Sequence, residues 1–348
     1  MTGSATPSDP SATGEPVLRL PARFEDYVHR LRERLARKRG LSAVVIPYTG
    51  YGSTSWIRVL SRVLLARPDV KADLRYKKIR GWRSFTSVPV GDATVFVGVD
   101  GVEHELTSDR GGVVDAEIAV SLSPGWHTIT LRTENSQPVS APIFIVDPNA
   151  TIGLISDVDD TVMVTALPRP LVAAWNTFVL DEHARTPVAG MAVLLEKLVR
   201  DHPGAPIIYL STGAWNVAPT LSRFLSRHLY PRGPLLLTDW GPTHDRWFRS
   251  GRAHKEESLQ RLITEFPHVK WILVGDDGQS DEELYGSFAE EHPDRVAAVA
   301  IRHLSGGEAV LAGRRSKGDH PEVHGTVPWV RGSDGAELAD EFDRLGLL

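Results

Sequence analysis

The chain of 348 residues contains no cysteine. That excludes disulfides, thiolate-ligated zinc and a thiol nucleophile, and it gives no sign of an oxidising compartment. Long apolar runs are missing as well, since no stretch approaches the ~18 residues of a membrane-spanning helix. A basic excess is absent: 39 Lys and Arg stand against 44 Asp and Glu, a net charge of −5. Phosphate backbones are bound chiefly by cationic surfaces, so nucleic acid is not an expected partner. The opening segment MTGSATPSDPSATGEP has neither a basic n-region nor an apolar h-region, and no secretory leader is expected. Together these absences predict a soluble, cytoplasmic protein that meets a membrane only peripherally.

With 41% apolar and 24% charged residues, the composition is that of a globular protein. The length is roughly twice a typical domain of about 150 residues, which predicts two domains. Residues 1–20, rich in Ser, Thr, Pro and Gly, read as a disordered tail. Across 21–40, Phe24, Val28, Leu31 and Leu35 form an apolar stripe at helical spacing, with seven Lys or Arg against three Asp or Glu around it. Such a basic amphipathic helix either docks on its own domain or lies on anionic lipid.

Residues 41–148 carry short β-rich runs at 43–47, 56–66, 93–99, 113–122, 127–132 and 141–146, separated by Gly, Pro, Asp and Ser. This pattern predicts a β-sandwich of immunoglobulin-like size. Its segment 75–83, RYKKIRGWR, mixes cations with aromatics, which suits an anionic membrane surface as well as an ordinary exposed loop.

From 149 to 305 the rhythm changes to strand then helix. Strands are expected at 152–156, 206–211, 235–238, 271–274 and 296–301, and helices at 171–180, 190–200, 217–229, 256–266 and 281–292. Alternation of this kind predicts an α/β domain with a Rossmannoid parallel sheet covered on both faces. Residues 306–348 read as a polar tail with one short helix near the end.

Ligands of a parallel sheet sit outside the carboxyl ends of its strands. The first strand runs into Asp157-Val158-Asp159-Asp160-Thr161 and the second into Ser211-Thr212-Gly213. The fourth runs into Gly275-Asp276-Asp277-Gly278-Gln279-Ser280-Asp281, and Lys255 is expected at a helix start. Carboxylates crowded in this way repel one another and are costly to bury unpaired. A Mg²⁺ ion, which takes one or two carboxylates plus phosphate oxygens, resolves the conflict. Lys255 would then neutralise a phosphoryl group and Ser211 would hydrogen-bond to it, an arrangement suited to in-line phosphoryl transfer.

The set DVDDT, a strand-terminal serine, a lysine and GDDGQSD resembles the haloacid dehalogenase phosphatase superfamily in order and spacing. The stretches YTGYGSTSWIRVLSRVLLARP, STGAWN, GDDGQSDEELY and VAIRHL look like the actin-patch-associated phosphatidate phosphatase family in its bacterial branch. The resemblance covers roughly residues 40–305. It implies Asp157 as the nucleophile, which would form an aspartyl-phosphate, and Asp159 as general acid and then general base. It further implies that the Asp157 carboxylate, the Asp159 main-chain carbonyl and Asp276 hold Mg²⁺, with Asp277 or Asp281 completing the shell or orienting its waters. Thr161 would brace the loop. Asp160 stands where many superfamily members have glycine. The implied substrate is phosphatidate, which yields diacylglycerol and phosphate.

Roughly 45 residues separate Thr161 from the second strand, and about as many separate Ser211 from Lys255. Neither interval holds a large independent lid, and an uncovered site favours bulky substrates such as a lipid head group or a macromolecular phosphate. Thr212, Gly213, Trp215 and Arg185 are candidate substrate-binding residues. For Trp215 core packing is the plainer alternative, for Arg185 a surface ion pair, and for His254 a solvated helix start. Two rivals stand beside the lipid phosphatase: a phosphatase for a soluble or protein-borne phosphomonoester, and a non-catalytic scaffold whose β-domain binds a partner.

Overall fold

The computed structural model describes residues 31, 33–66, 88–164, 186–238, 244–278, 280–305 and 325–348, with only the backbone for 244–250. The expected tail at 1–20, the cationic segment 75–83, the expected helix at 171–180, Arg185 and Gln279 lie outside the described residues.

Eight strands come first: β1 (Ser42–Pro47), β2 (Gly50–Gly52), β3 (Trp56–Ala66), β4 (Thr94–Val99), β5 (Val102–Thr107), β6 (Val113–Ala119), β7 (Gly125–Arg132) and β8 (Val139–Ile145). Alternation sets their inner face, as in β4, which buries Val95, Val97 and Val99. Every ladder is antiparallel except β2 with β8. Instead of two separate facing sheets, all eight strands are hydrogen-bonded into one, because β2 pairs with both β3 and β8. The buried faces still share one core, which includes Val45, Ile57, Val63, Val97, Leu131 and Ile143. β2 is too short to read from periodicity. β5, Val-Glu-His-Glu-Leu-Thr, is an edge strand with no fully buried residue, so its sequence carries little apolar signal. Before β1, residues 33–38 are helical; Ala36 is buried, whereas Leu31 and Leu35 are 45% and 47% exposed.

The second half builds β9 (Ile152–Asp157), a small ladder of β10 (Met163–Val164) with β11 (Thr186–Pro187), then β12 (Ile207–Ala214), β13 (Leu235–Thr238), β14 (Lys270–Asp276), β15 (Val296–Arg302) and β16 (Trp329–Gly332). Its helices are α1 (Met191–Asp201), α2 (Ala218–Arg227), α3 (His244–Glu265), α4 (Asp281–Glu291) and α5 (Gly335–Arg344). Six strands form a parallel sheet in the order β13-β12-β9-β14-β15-β16. Trp271, Ile272, Leu273 and Val274 are fully buried, as a strand covered on both faces requires. The chain fills one side of β9 and then crosses to the other, so the order reverses between β9 and β14. The carboxyl ends of these two strands therefore border the crevice where such sheets bind ligands.

Two sequence expectations are corrected here. The C-terminal stretch is not only a polar tail: β16 adds a sixth parallel strand beside β15, and α5 follows with Leu338 and Phe342 buried. Four residues of strand lie below the length at which periodicity is readable. Lys255 is not at a helix start but in the middle of α3, which begins eleven positions earlier; its weak apolar pattern before Leu259 hides the first turns.

The two halves are packed together. Tyr48, Tyr51, Leu60, Val113 and Val146 from the N-terminal half belong to the same apolar cluster as the core of the parallel sheet. Beside them, Arg58 of β3 contacts Asp115 of β6 at 2.8 Å and Glu265 of α3 at 2.7 Å. Arg261 of α3 reaches Asp115 at 2.8 Å, and the Tyr51 hydroxyl donates to Glu265 at 2.8 Å. No helix among the described residues is long and apolar enough to cross a membrane.

Candidate active site

Register aligns the strand tips. Leu210 of β12 pairs with Asp157, and Val274 of β14 pairs with Ser156, so Ser211 and Asp276 end up on either side of Asp157. Two glycines allow the helices to close on these tips. A Cβ at Gly275 would lie 2.7 Å from the Tyr285 ring and 2.9 Å from the Asp281 side chain. Only glycine lets α4 approach β14 closely enough to bring Asp281 over the strand end. A Cβ at Gly251 would lie 2.9 Å from Thr212 Cγ2; α3 therefore runs against the Ser211 loop, and Lys255 follows one turn later on the same face.

Asp157, Asp276 and Asp281 offer carboxylate oxygens that all lie within 4.8 Å of one another, and all three are buried. Lys255 Nζ is 2.6 Å from Asp157 Oδ1 and 2.6 Å from Asp281 Oδ1. Burial is the largest influence on Asp157 and pushes its carboxyl well up; Lys255 opposes this, and Asp281, Asp159 and Asp276 add to it. Asp276 is pushed up by burial and then by Asp281 and Asp160. Burial disfavours the Lys255 ammonium, yet Asp157 and Asp281 outweigh it and hold the lysine well above its usual value. One ammonium thus faces three carboxylates, and the excess negative charge calls for a further cation. Asp281 Oδ2 is buried without a hydrogen-bond partner among the described residues. Hard carboxylate donors with an unused oxygen are what a divalent metal takes, so this group could hold one.

The neighbouring side chains are fixed by hydrogen bonds. The Ser211 hydroxyl donates to Asp159 Oδ2 at 3.0 Å and accepts from the Gly213 amide at 3.0 Å. Thr161 Oγ1 donates to Asp276 Oδ2 at 3.5 Å, and the Gly278 amide donates to Asp276 Oδ1 at 2.7 Å. Asp160 adopts φ 58°, the left-handed conformation that glycine takes at less cost. Arg302 holds it by donating from Nη1 to the Asp160 carbonyl at 2.7 Å while its Nε reaches the Ser333 carbonyl at 3.1 Å.

The structure brings together Asp157, Asp159, Ser211, Lys255, Asp276 and Asp281. Asp277 faces away from the triad: it accepts from the Leu304 amide at 3.0 Å and contacts His303 Nδ1 at 2.9 Å, which fixes the turn after β14. Trp215 is buried and stacked on Tyr48, with ring centroids 4.9 Å apart. The Thr212 and Gly213 carbonyls are turned to the Thr238 hydroxyl at 2.9 and 3.2 Å. His254 is largely buried within α3 rather than at a solvated helix start, and burial lowers its pKa. Arg302, Thr238 and Gly251 escaped the sequence reading. Arg302 and Thr238 carried a signal, each as the first polar residue after the apolar run of its strand; Gly251 carried none.

Fold and site define an α/β protein with a buried acidic centre at the switch point of a parallel sheet. Residues 152–303 match the family described as the catalytic domain of phosphatidate phosphatase APP1. Phosphatidate phosphatase APP1 of Saccharomyces cerevisiae is 28% identical over 222 residues, covering 62% of this chain and 36% of the yeast protein. An uncharacterized Schizosaccharomyces pombe protein is 26% identical over 200 residues, covering 56% of this chain and 32% of its own. The chain thus spans about a third of the length of these curated relatives. Similarity to solved structures is weak: a carbohydrate acetylesterase from Xanthomonas citri, XAC1771, aligns at a TM-score of 0.30 and 9% identity, covering 88% of this chain and 73% of that one.

Proposed function

We propose that this chain is a phosphoric monoester hydrolase of the haloacid dehalogenase type that acts on phosphatidate through an aspartyl-phosphate on Asp157, with Mg²⁺ as its metal. The observation that carries the reading is the buried triad Asp157, Asp276 and Asp281 with Lys255 Nζ 2.6 Å from two of its members. The match of residues 152–303 to the phosphatidate phosphatase APP1 catalytic-domain family supports the reaction class.

Asp157, Asp276 and Asp281, with the Asp159 carbonyl, would hold Mg²⁺, which when bound would offset phosphoryl charge as a Lewis acid. The remaining steps belong to the chain. Lys255 orients the phosphoryl oxygens, and Ser211 joins it when substrate binding turns its one hydroxyl proton from Asp159 to a phosphoryl oxygen. An Asp157 carboxylate oxygen attacks phosphorus while the bond to the ester oxygen breaks, and Asp159 protonates the departing alkoxide. Asp159, now a carboxylate, takes a proton from water; the water oxygen attacks phosphorus, the bond to Asp157 breaks, and phosphate leaves. The hydrogen bond from Ser211 to Asp159 keeps the acid–base group beside the phosphoryl site.

A lipid substrate is supported by the small size of what can cover the site. The β10–β11 ladder brackets only residues 165–185, too few for an independent lid domain. Peripheral contact with an anionic membrane fits the exposed Leu31 and Leu35 beside a basic sequence.

The test is phosphate release by purified protein with Mg²⁺, from an aryl phosphate and then from phosphatidate in mixed micelles against short soluble phosphates. Release that is lost in Asp157→Asn, with phosphatidate preferred, is the expected result. A preference for soluble esters would move the substrate to that class, and no release from any substrate would favour the scaffold.

A further inference from the structure

Segment 211–213 bulges out of the ladder between β12 and β13. The β12–β13 pairing is regular at Tyr209 and Leu210, shifts, and resumes only at Ala214 with Thr238. The ladder therefore gives residues 211–213 no partner in β13. Two hydroxyls take its place. Thr238 Oγ1, at the end of β13, lies 2.9 Å from the Thr212 carbonyl and 3.2 Å from the Gly213 carbonyl, and donates into that pair. Tyr48, from the turn between β1 and β2, donates its hydroxyl to the Trp215 carbonyl at 3.0 Å and stacks on the Trp215 ring with planes 16° apart. Both anchors are buried.

What they hold leads directly to the chemistry. The Gly213 amide donates to Ser211 Oγ, whose own proton goes to Asp159 Oδ2. A change in the Gly213 peptide plane would rotate that amide away and free the serine rotamer. We propose that Thr238 and Tyr48 are positioning residues that fix the 211–215 loop, so the N-terminal sheet completes the phosphoryl site rather than serving only as a neighbouring module. This inference rests on the phosphatase reading above and deepens it. Phenylalanine at position 48 would keep the stacking and lose the carbonyl anchor.

The test is steady-state kinetics on an aryl phosphate with Mg²⁺, together with competitive inhibition by inorganic phosphate, for Thr238→Val, Thr238→Ser, Tyr48→Phe and Tyr48→Leu. Melting temperatures are measured alongside to confirm folding. Thr238→Val and Tyr48→Leu are each expected to lower kcat/KM roughly tenfold, mainly through KM, and to raise the phosphate inhibition constant in parallel. Thr238→Ser should restore most of the loss, and Tyr48→Phe should fall between wild type and Tyr48→Leu. If folded Thr238→Val and Tyr48→Phe keep KM and the inhibition constant within about twofold of an active wild type, the inference is overturned and the phosphatase reading stands. The same follows if Thr238→Ser is as impaired as Thr238→Val. A wild type inert on every phosphate would overturn both.

Discussion

Replacing Asp276 with asparagine should stabilise the metal-free protein while removing its activity. The ligand oxygens of Asp157, Asp276 and Asp281 lie within 4.8 Å of one another. At that separation two unit charges repel by about 3.5 kcal/mol at an effective dielectric of about 20. Lys255 is engaged at 2.6 Å by Asp157 and Asp281, which leaves Asp276 the least compensated of the three. Part of the repulsion is relieved by proton uptake, since burial and neighbouring carboxylates push Asp157 and Asp276 up. Asparagine also keeps an oxygen for the Gly278 amide. A net gain of about 1–3 kcal/mol is therefore expected for Asp276→Asn in chelator at neutral pH, read as a higher urea midpoint. Mg²⁺ should reverse the order: at a hundred times its dissociation constant it adds about 2.7 kcal/mol to a protein that binds it, and the variant should gain little. A variant less stable than wild type in chelator, or equal stabilisation of both by Mg²⁺, would refute the reasoning.

The same cluster fixes a pH dependence. Groups whose folded pKa is raised contribute stability that is fully present below their unfolded pKa and lost as pH rises through the folded value. Metal-free wild type should gain stability from this cluster as pH falls from neutral toward the ordinary carboxyl range, and Asp276→Asn should show a shallower slope; parallel slopes would contradict it. Asp115 behaves oppositely: burial works against its charge, but Arg261 and Arg58 outweigh it and hold the carboxyl below its usual range. Asp115→Asn should cost about 1–3 kcal/mol at neutral pH, a difference that shrinks as pH falls through the depressed value of Asp115; urea midpoints showing a constant difference would count against the interface role. In Gly251→Ala the gain of about 1 kcal/mol that alanine brings to a helix is offset by the close approach of its Cβ to Thr212, so the melting temperature should stay the same or fall slightly. The variant's KM should rise because the new methyl meets Thr212, and an unchanged KM would show that α3 does not set the loop. Arg302→Met should lower kcat at least about tenfold, because it removes the hydrogen bond that braces the Asp160 carbonyl in its left-handed turn; retained kcat in a folded variant would remove Arg302 from the account.

The acidic motifs were legible because each follows an apolar run. A strand that stops at Asp157, Ser211 or Asp276 tells the reader which end of the sheet holds the chemistry, and β13 was readable to the residue from Leu235 to Thr238. Asp277 and Asp281 were not separable in sequence. Their order on the page is the same for either role, and only the approach of α4 over Gly275 brings Asp281, not Asp277, onto the triad. The parts of YTGYG, STGAWN and VAIRHL that looked family-specific turn out to be tertiary joints. Tyr48 stacks on Trp215, Tyr51 bonds Glu265, and Arg302 and His303 brace the two acidic turns. Contacts between residues more than a hundred positions apart leave no periodic trace, which is why the interface between the N-terminal sheet and the parallel sheet could not be read in advance.

The most direct measurement is to mix the protein with radiolabelled phosphatidate and Mg²⁺, quench in acid within a turnover, and map the labelled peptide. Label on Asp157 in wild type, absent from Asp157→Asn, is the predicted result. Phosphate released at the wild-type rate by Asp157→Asn, or label carried by any other residue, would contradict the account.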